Sequence, residues 1–548
     1  MDLARSGHID SFARNNLPPR DQWPELIFTL PDLAYPERLN ASVELVDRWV
    51  AAGQGGRTCI VAPGEALSYA ALAERINRIA NVLTRDLGMV PGNRVLLRGP
   101  NGPMMVAAYF AVLKAGGVVV ATMPLLRAKE LSYPIAKAEI ALALCDARLA
   151  DELEKAAASG LARIVYWGGD GPDSLEALMA RPGYESFTAC DTAADDVCLI
   201  AFTSGTTGVP KGTMHFHRDL LAICDSYGKH VLRARPDDRF IGSPPLAFTF
   251  GLGGLVLFPF RIGAATILIE RAGPEELMAA IAAYRATVCF TAPTAYRAMT
   301  AMVHVHDISS LRKCVSAGET LPKATFEAWR AATGIVPQDG LGSTEMLHIF
   351  ICCREEEMRA GATGKAIPGY EARVVDAAGR EVPPGTVGRL AVRGPTGCRY
   401  LADERQRQYV QDGWNVTGDT YVRDEDGYFI YQARSDDMIV SAGYNIAGPE
   451  VESALLSHPA VAECGVVGVP DDERGQIPKA YVVLRGGTTG DAVLARALQD
   501  LVKASIAPYK YPRAIDFVAR LPRTESGKLQ RFELRRAATE AIARPGKG

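Results

Sequence analysis

Apolar and polar positions alternate between two spacings along most of this chain. Residues 67–88, "LSYAALAERINRIANVLTRDLG", carry apolar side chains at helical spacing and stop at Gly88. "NRVLLRG" (93–99) has the length and apolarity of a short strand. "GPMMVAAYFAVLKAGGVVV" (102–120) predicts a buried helix, a Gly-Gly stop and a second strand. "IALALCD", "RIVYWGG" and "DVCLIAFTSG" follow as strands, and "TILIE…PEELMAAIAAYRATVCFTAPTAY" repeats the pattern. Strand–helix alternation of this kind predicts α/β architecture with largely parallel sheets. After about Gly364 the texture changes: "GYEARVVDAAGREVPPGTVGRLAVRGP" has short strands and Gly/Pro turns, as in a β-rich subdomain. A strand–loop–helix–strand unit then begins near residue 428. The expected organisation is a large N-terminal domain over 1–434, of αβ-layered subdomains plus the β-rich one, followed by a small, mobile α+β lid over 435–548.

Size and composition fit that picture. The 548 residues are too many for one core. With 48% apolar and 22% charged residues, the composition is that of a globular protein. The net charge of −3 comes from interleaved signs, which argues against nucleic acid or a membrane surface as partner. The eleven cysteines form no CxxC or zinc pattern and predict reduced, buried thiols in a cytoplasmic protein. The N-terminus lacks the apolar core of a secretory signal. Residues 240–260 are long enough for a membrane span, but Pro244, Pro245, Pro259 and several glycines interrupt them, so a buried strand, loop and helix start is expected.

The chemistry begins at residues 197–217, "VCLIAFTSGTTGVPKGTMHFH". A strand empties into Thr203, Ser204, Gly205, Thr206, Thr207 and Gly208, and Lys211 follows. Glycines admit backbone N–H groups to an anion, hydroxyls donate, and the lysine adds charge. Pro210 before Lys211 excludes a Walker A loop. No GxSxG elbow marks a serine hydrolase, and no GxGxxG after the first strand marks a dehydrogenase.

The phosphate loop resembles that of the adenylate-forming superfamily: acyl-CoA synthetases, luciferases and peptide-synthetase adenylation domains. Further segments extend the resemblance, in the same order, over nearly the whole chain: "SAGE" (316–319), "DGLGSTEM" (339–346), "NVTGDTY" (415–421), "ARSDDMIVSAGYNIAGPEVE" (433–452) and "LPRTESGKLQR" (521–531). The resemblance implies that ATP is bound by the phosphate loop, by Gly318 and Glu319 beside the adenine, and by Asp339, Gly340, Leu341 and Gly342. Asp419 would hold the ribose hydroxyls and Arg434 would pair with the nucleotide. Glu345 would be the Mg²⁺ ligand, a hard carboxylate for a hard cation. Thr344 would reach the α-phosphate, and Lys528 would bridge carboxylate and phosphate during adenylation. Asp436 would be the hinge of the lid, and Gly443 would line the tunnel for the coenzyme A thiol.

Two departures narrow the acid. Residues 244–254, "PPLAFTFGLGG", lack the usual histidine, and Leu341 replaces an aromatic residue before the glycine of the metal motif. With "GSTEMLHIF" they resemble the benzoate-CoA ligase group, in which the positions of Tyr227, His348 and Ile349 border a small aromatic carboxylic acid. Phe248 and Ala317 complete the expected pocket. Residues 12–47 and the hinge segment are most similar to 2-aminobenzoate (anthranilate)-CoA ligases, with overlap to benzoate expected because one ring substituent is worth only ~1–3 kcal/mol. Loading an aryl acid onto a separate carrier protein is the alternative; no attached carrier domain is expected. A catalytically degenerate nucleotide sensor is disfavoured by Lys211, Glu345, Asp419, Arg434 and Lys528. The resemblance also implies a monomer or homodimer and control by a lysine acetyltransferase and deacetylase acting on Lys528.

Overall fold

A computed structural model describes residues 3–203, 209–434, 437–441, 444–471, 474–523 and 528–543. Its first sheet runs Arg163–Trp167, Leu142–Asp146, Arg94–Arg98, Val118–Thr122, Val197–Thr203, Lys211–Phe216, and all neighbours but the last pair are parallel. Helices lead into this sheet and cross between its parallel strands. Tyr69–Asn81 starts where the Ala71 amide donates to Ser68 Oγ at 3.2 Å, and it buries Leu72, Ile76 and Ile79. Pro103–Lys114 has no solvent face: Met105 through Lys114 are all buried. It ends at Gly116, whose φ of +76° suits a residue without Cβ.

The second sheet contains, in order, Lys365–Ala366, Ile349–Cys352, Pro337–Gly342, Lys313–Ala317, Val288–Thr291, Arg239–Gly242, Ala265–Ile267, Thr58–Ala62 and Glu65–Ser68. One large apolar cluster joins it to the first sheet. The segment long enough for a membrane span is instead the buried strand Arg239–Gly242 followed by short helical turns. Among the described residues no helix is long and apolar enough to cross a membrane. All eleven thiols are free, and all but Cys190 are buried.

A third, antiparallel sheet holds Glu371–Val375, Gly388–Arg393, Val410–Gln411, Trp414–Arg423 and Phe429–Arg434. The C-terminal sheet holds Tyr444–Ile446, Ile439–Ser441, Gly475–Leu484, Val461–Asp471 and Ala514–Phe517, and has its own apolar clusters. The α/β class, the β-rich segment and the small α+β C-terminal part agree with the expectation from the sequence.

Candidate active site

The strand Val197–Thr203 returns antiparallel as Lys211–Phe216, so Thr203 and Lys211 stand opposite each other at the mouth of the phosphate loop. The Thr203 hydroxyl is buried with no partner among the described residues. Arg405 holds the exit of the loop: its guanidinium donates to the Val209 carbonyl at 3.0 Å and the Pro210 carbonyl at 3.3 Å. Lys211 points inward. Its ammonium donates to Tyr400 Oη at 2.7 Å and lies 3.5 Å from Glu345 Oε1, while Tyr400 Oη donates to that same carboxylate oxygen at 2.5 Å. Burial first and the Glu345 charge second raise the Tyr400 pKa, so the phenol stays protonated.

Thr344 and Glu345 sit on the turn between strands Pro337–Gly342 and Ile349–Cys352. The turn is strained. Buried Leu347 has a φ of +70°, a left-handed conformation that costs a residue with a Cβ about 1 kcal/mol or more. Several bonds hold it there. The Leu347 amide donates to the Thr344 carbonyl at 3.1 Å, and Thr396 Oγ1 donates to the Met346 carbonyl at 2.8 Å. His215 Nε2 lies 2.8 Å from the Thr344 carbonyl; because a carbonyl only accepts, Nε2 carries the proton. Behind His215 lies the fully buried pair Asp219–Arg399. Burial would raise Asp219, but the Arg399 guanidinium, His215 and Arg218 together outweigh it and hold the carboxyl below its usual range.

In the segments expected to face adenine, Ala317 and Gly340 are register partners in adjacent parallel strands. A Cβ on Gly340 would come within 2.4 Å of Ile349 Cδ1, and one on Gly342 within 2.8 Å of the His348 backbone. Gly342 is therefore demanded by the backbone entering the return strand, while a side chain at Gly340 would have to displace the Ile349 side chain. Asp339 is buried, which pushes its carboxyl well above the usual range against the opposing Leu321 amide. Half-buried Leu341 packs against the central cluster.

Lys528 reaches this side from the C-terminal part. Its Cε lies 3.9 Å from where a Gly318 Cβ would stand. It occupies a cleft crowded by protein yet reached by solvent. The crowding lowers its pKa; the Glu319 carboxylate opposes this most, Arg434 reinforces it, and Asp419 and Glu345 oppose it. Burial raises Glu319 in turn, against Arg523 and Lys528. Asp419 and Arg434 are register partners across antiparallel strands, and Arg434 lies over Gly418, where a Cβ would be 2.9 Å from its Nη2.

The acid-side residues are more deeply packed. His348 is 3% exposed and touches four rings: Phe258 at 4.6 Å between centroids, Phe250 at 5.6 Å, Tyr227 at 5.8 Å and Phe290 at 6.4 Å. Burial lowers its pKa to about 3, so the imidazole is neutral. Its Nε2 donates to the Phe250 carbonyl at 3.3 Å, and Nδ1 has no partner among the described residues. Tyr227 is fully buried, 3.5 Å from Gln338 Oε1. Phe248 is half-buried at the start of the short helix Thr249–Leu252, which carries Phe250 to His348.

Known proteins resemble this chain over most of its length. The AMP-binding enzyme pattern matches residues 47–400, and the AMP-binding enzyme C-terminal domain matches residues 450–528. The chain belongs to the AMP-binding enzyme family. It is 37% identical over 519 residues to a benzoate–CoA ligase of Thauera aromatica, covering 93% of this chain and 98% of the relative. It is 33% identical to a 4-hydroxybenzoate–CoA/benzoate–CoA ligase of Rhodopseudomonas palustris, covering 90% and 94%. Among solved structures, the anthranilate CoA ligase AuaEII in complex with anthranoyl-AMP superposes with a TM-score of 0.89 at 35% identity, covering 94% of this chain and 100% of that one.

In this AMP-binding enzyme no cluster of three or more His, Cys, Asp or Glu side chains suited to a metal occurs among the described residues. A single buried carboxylate, Glu345, fits Mg²⁺ nonetheless, because that ion is commonly held by one or two carboxylates together with substrate phosphates and water. Ser204, Gly205, Thr206, Thr207, Gly208, Asp436 and Gly443 lie outside the described residues. Sequence reading missed Tyr400, Arg405, His215 and the Phe250, Phe258 and Phe290 cage. "CRYLADERQRQY" (398–409) carries no phosphate-binding spacing, and the phenylalanines read as core. Only "GTMHFH", with His215 near the end of the strand Lys211–Phe216 and His217 opening the next helix, offered a signal.

Proposed function

We propose that this protein is an aryl-CoA ligase that activates a small aromatic carboxylic acid as its adenylate and passes the acyl group to coenzyme A. The observation that carries the reading is Lys528, brought from the C-terminal part against Gly318 with Glu319, Arg434, Asp419 and Glu345 within electrostatic reach.

In the first half-reaction a carboxylate oxygen attacks the α-phosphorus of ATP. The bond to the β-phosphate oxygen breaks and pyrophosphate leaves. Catalysis here is positioning and charge stabilisation. Lys528 holds the incoming carboxylate beside the α-phosphate, Thr344 orients that phosphate, and Lys211 with the loop after Thr203 holds the leaving pyrophosphate. Glu345 would hold Mg²⁺, which when bound offsets phosphate charge. Asp419 and Arg434 orient the nucleoside. In the second half-reaction the coenzyme A sulfur attacks the acyl carbon, AMP leaves, and the thiol proton passes to solvent.

The aromatic cage around neutral His348 supports a flat, apolar acid. Likeness to anthranilate and benzoate ligases supports 2-aminobenzoate as preferred acid, with benzoate also accepted. The reading divides the chain into domains 1–434 and 435–548, with the lid turning at Asp436 to bring Gly443 to the thiol tunnel between half-reactions. It places a monomer or homodimer in the cytoplasm, with Lys528 open to acetylation that would remove its charge. The test is a panel of 2-aminobenzoate, benzoate, hydroxybenzoates, phenylacetate and short fatty acids, scored for CoA- and ATP-dependent AMP release. Strongest turnover of 2-aminobenzoate is expected; turnover of fatty acids alone would overturn the aryl assignment.

A further inference from the structure

Tyr400 belongs to no phosphate-binding motif, yet it stands between the two charges that nucleotide must recruit. Its side chain is fully buried. Its hydroxyl accepts from the Lys211 ammonium at 2.7 Å and donates to Glu345 Oε1 at 2.5 Å. The ammonium also lies 4.7 Å from the Tyr400 ring centroid and 5.7 Å from that of Tyr409, within cation–π range. The backbone around Tyr400 is stitched to the Lys211 strand. The Met214 amide donates to the Arg399 carbonyl at 2.7 Å, the Leu401 amide to the Gly212 carbonyl at 2.8 Å, and the Tyr400 amide to Gln406 Oε1 at 2.9 Å. The phenol is thus fixed from both sides.

Lys211 and Glu345 are opposite charges in a partly desolvated site, 3.5 Å apart through one oxygen of the carboxylate. They already form an ion pair at that distance, but the Tyr400 hydroxyl takes the shorter contact with each, and without it the pair would tighten to a direct hydrogen bond. That pair would have to be broken before the ammonium could turn to a phosphate or the carboxylate to a cation. From this geometry we propose that Tyr400 is a positioning residue for the pyrophosphate end of ATP, a spacer that keeps the Lys211–Glu345 ion pair loose and ready. The proposal rests on the adenylating reading above. It confines the effect to ligands that carry a β-phosphate; AMP makes no demand on Lys211.

Calorimetric titration of the full chain with ATP plus Mg²⁺, and separately with AMP, tests it in Tyr400→Phe. The expected result is MgATP affinity weakened about tenfold or more, the order of a hydrogen bond to a charged group, with AMP affinity within about twofold of wild type. MgATP affinity within about twofold of wild type, or equal losses for MgATP and AMP, would overturn the spacer role. Wild type that binds neither nucleotide would overturn the adenylating reading as well. Because Tyr400→Phe also removes a donor from buried Glu345, a Lys211→Met background guards against a folding effect. There the spacer has nothing to separate, so adding Tyr400→Phe should change MgATP affinity by less than about twofold; a further tenfold loss would overturn the proposal.

Discussion

Around His348 the site is floored by Phe250, Phe258, Phe290 and Tyr227, all joined to the large apolar cluster of the N-terminal sheets. The C-terminal part meets the N-terminal part elsewhere, beside Gly318 and Glu319, through charge. Arg523 lies 3.4 Å from Glu319 and donates to Glu463 at 2.7 Å, and Lys528 lies against Gly318. Among the described residues no apolar cluster joins residues before 434 to residues after 437. The difference is instructive because packed aromatic contacts resist rearrangement, whereas partly exposed ion pairs are worth little and exchange readily with water. The floor is suited to choosing an acid by shape. In the proposed two-step reaction, such a charged contact would let the C-terminal part deliver Lys528 and withdraw it.

The sharpest break in this comparison is Lys528→Ala. Acid-dependent ATP–pyrophosphate exchange should fall by about 10²–10³-fold, as when a preorganised donor is removed. Transfer from supplied acyl-adenylate to coenzyme A should change only a few-fold, about 1 kcal/mol or less. Equal loss in both assays would refute a charge delivered for adenylation alone.

Gly253→Ala probes the floor. Its Cβ would sit 2.3 Å from His348 Cδ2. Overpacking should cost ~1–3 kcal/mol in a denaturant melt and raise KM for the acid, with KM for ATP unchanged. An unchanged melt and unchanged acid KM would show that the cage yields more easily than its packing implies.

The floor should also carry a pH signature. Burial lowers both His348 and His217 to about 3. The unfolded chain therefore binds protons that the folded chain refuses once pH drops below about 6.5. Stability is full above that pH and is lost as pH falls toward 3, by up to about 1.4 kcal/mol per pH unit per histidine. Melting curves of His348→Phe should show a shallower acid slope than wild type; an identical slope would mean the imidazole is not the buried neutral group.

The smallest effect is expected at the lid. Arg523 is 28% exposed and Glu319 23% exposed at their side chains, so Arg523→Gln should cost ~0–1 kcal/mol. Adenylation should slow a few-fold while the thioester half-reaction holds or quickens. A loss as large as that of Lys528→Ala would show that the lid is held more rigidly than its charges suggest.

The alternation of spacings by itself determined the α/β class, the change to a β-rich segment and a separate small C-terminal unit, because those patterns are local to each element. The residues themselves marked the loop after Thr203, while the segments around Asp339, Asp419 and Lys528 were legible through their resemblance to the adenylate-forming superfamily, each packing its chemistry into a few consecutive residues. Only the tertiary structure decided what those residues touch. Tyr400 reaches Lys211 and Glu345, and His215 reaches Thr344, across long stretches of chain. His348 became a neutral ring in an aromatic cage because helices and strands remote in sequence close around it. Side-chain partnership across such separations depends on how whole sheets pack, and no spacing within one segment encodes it.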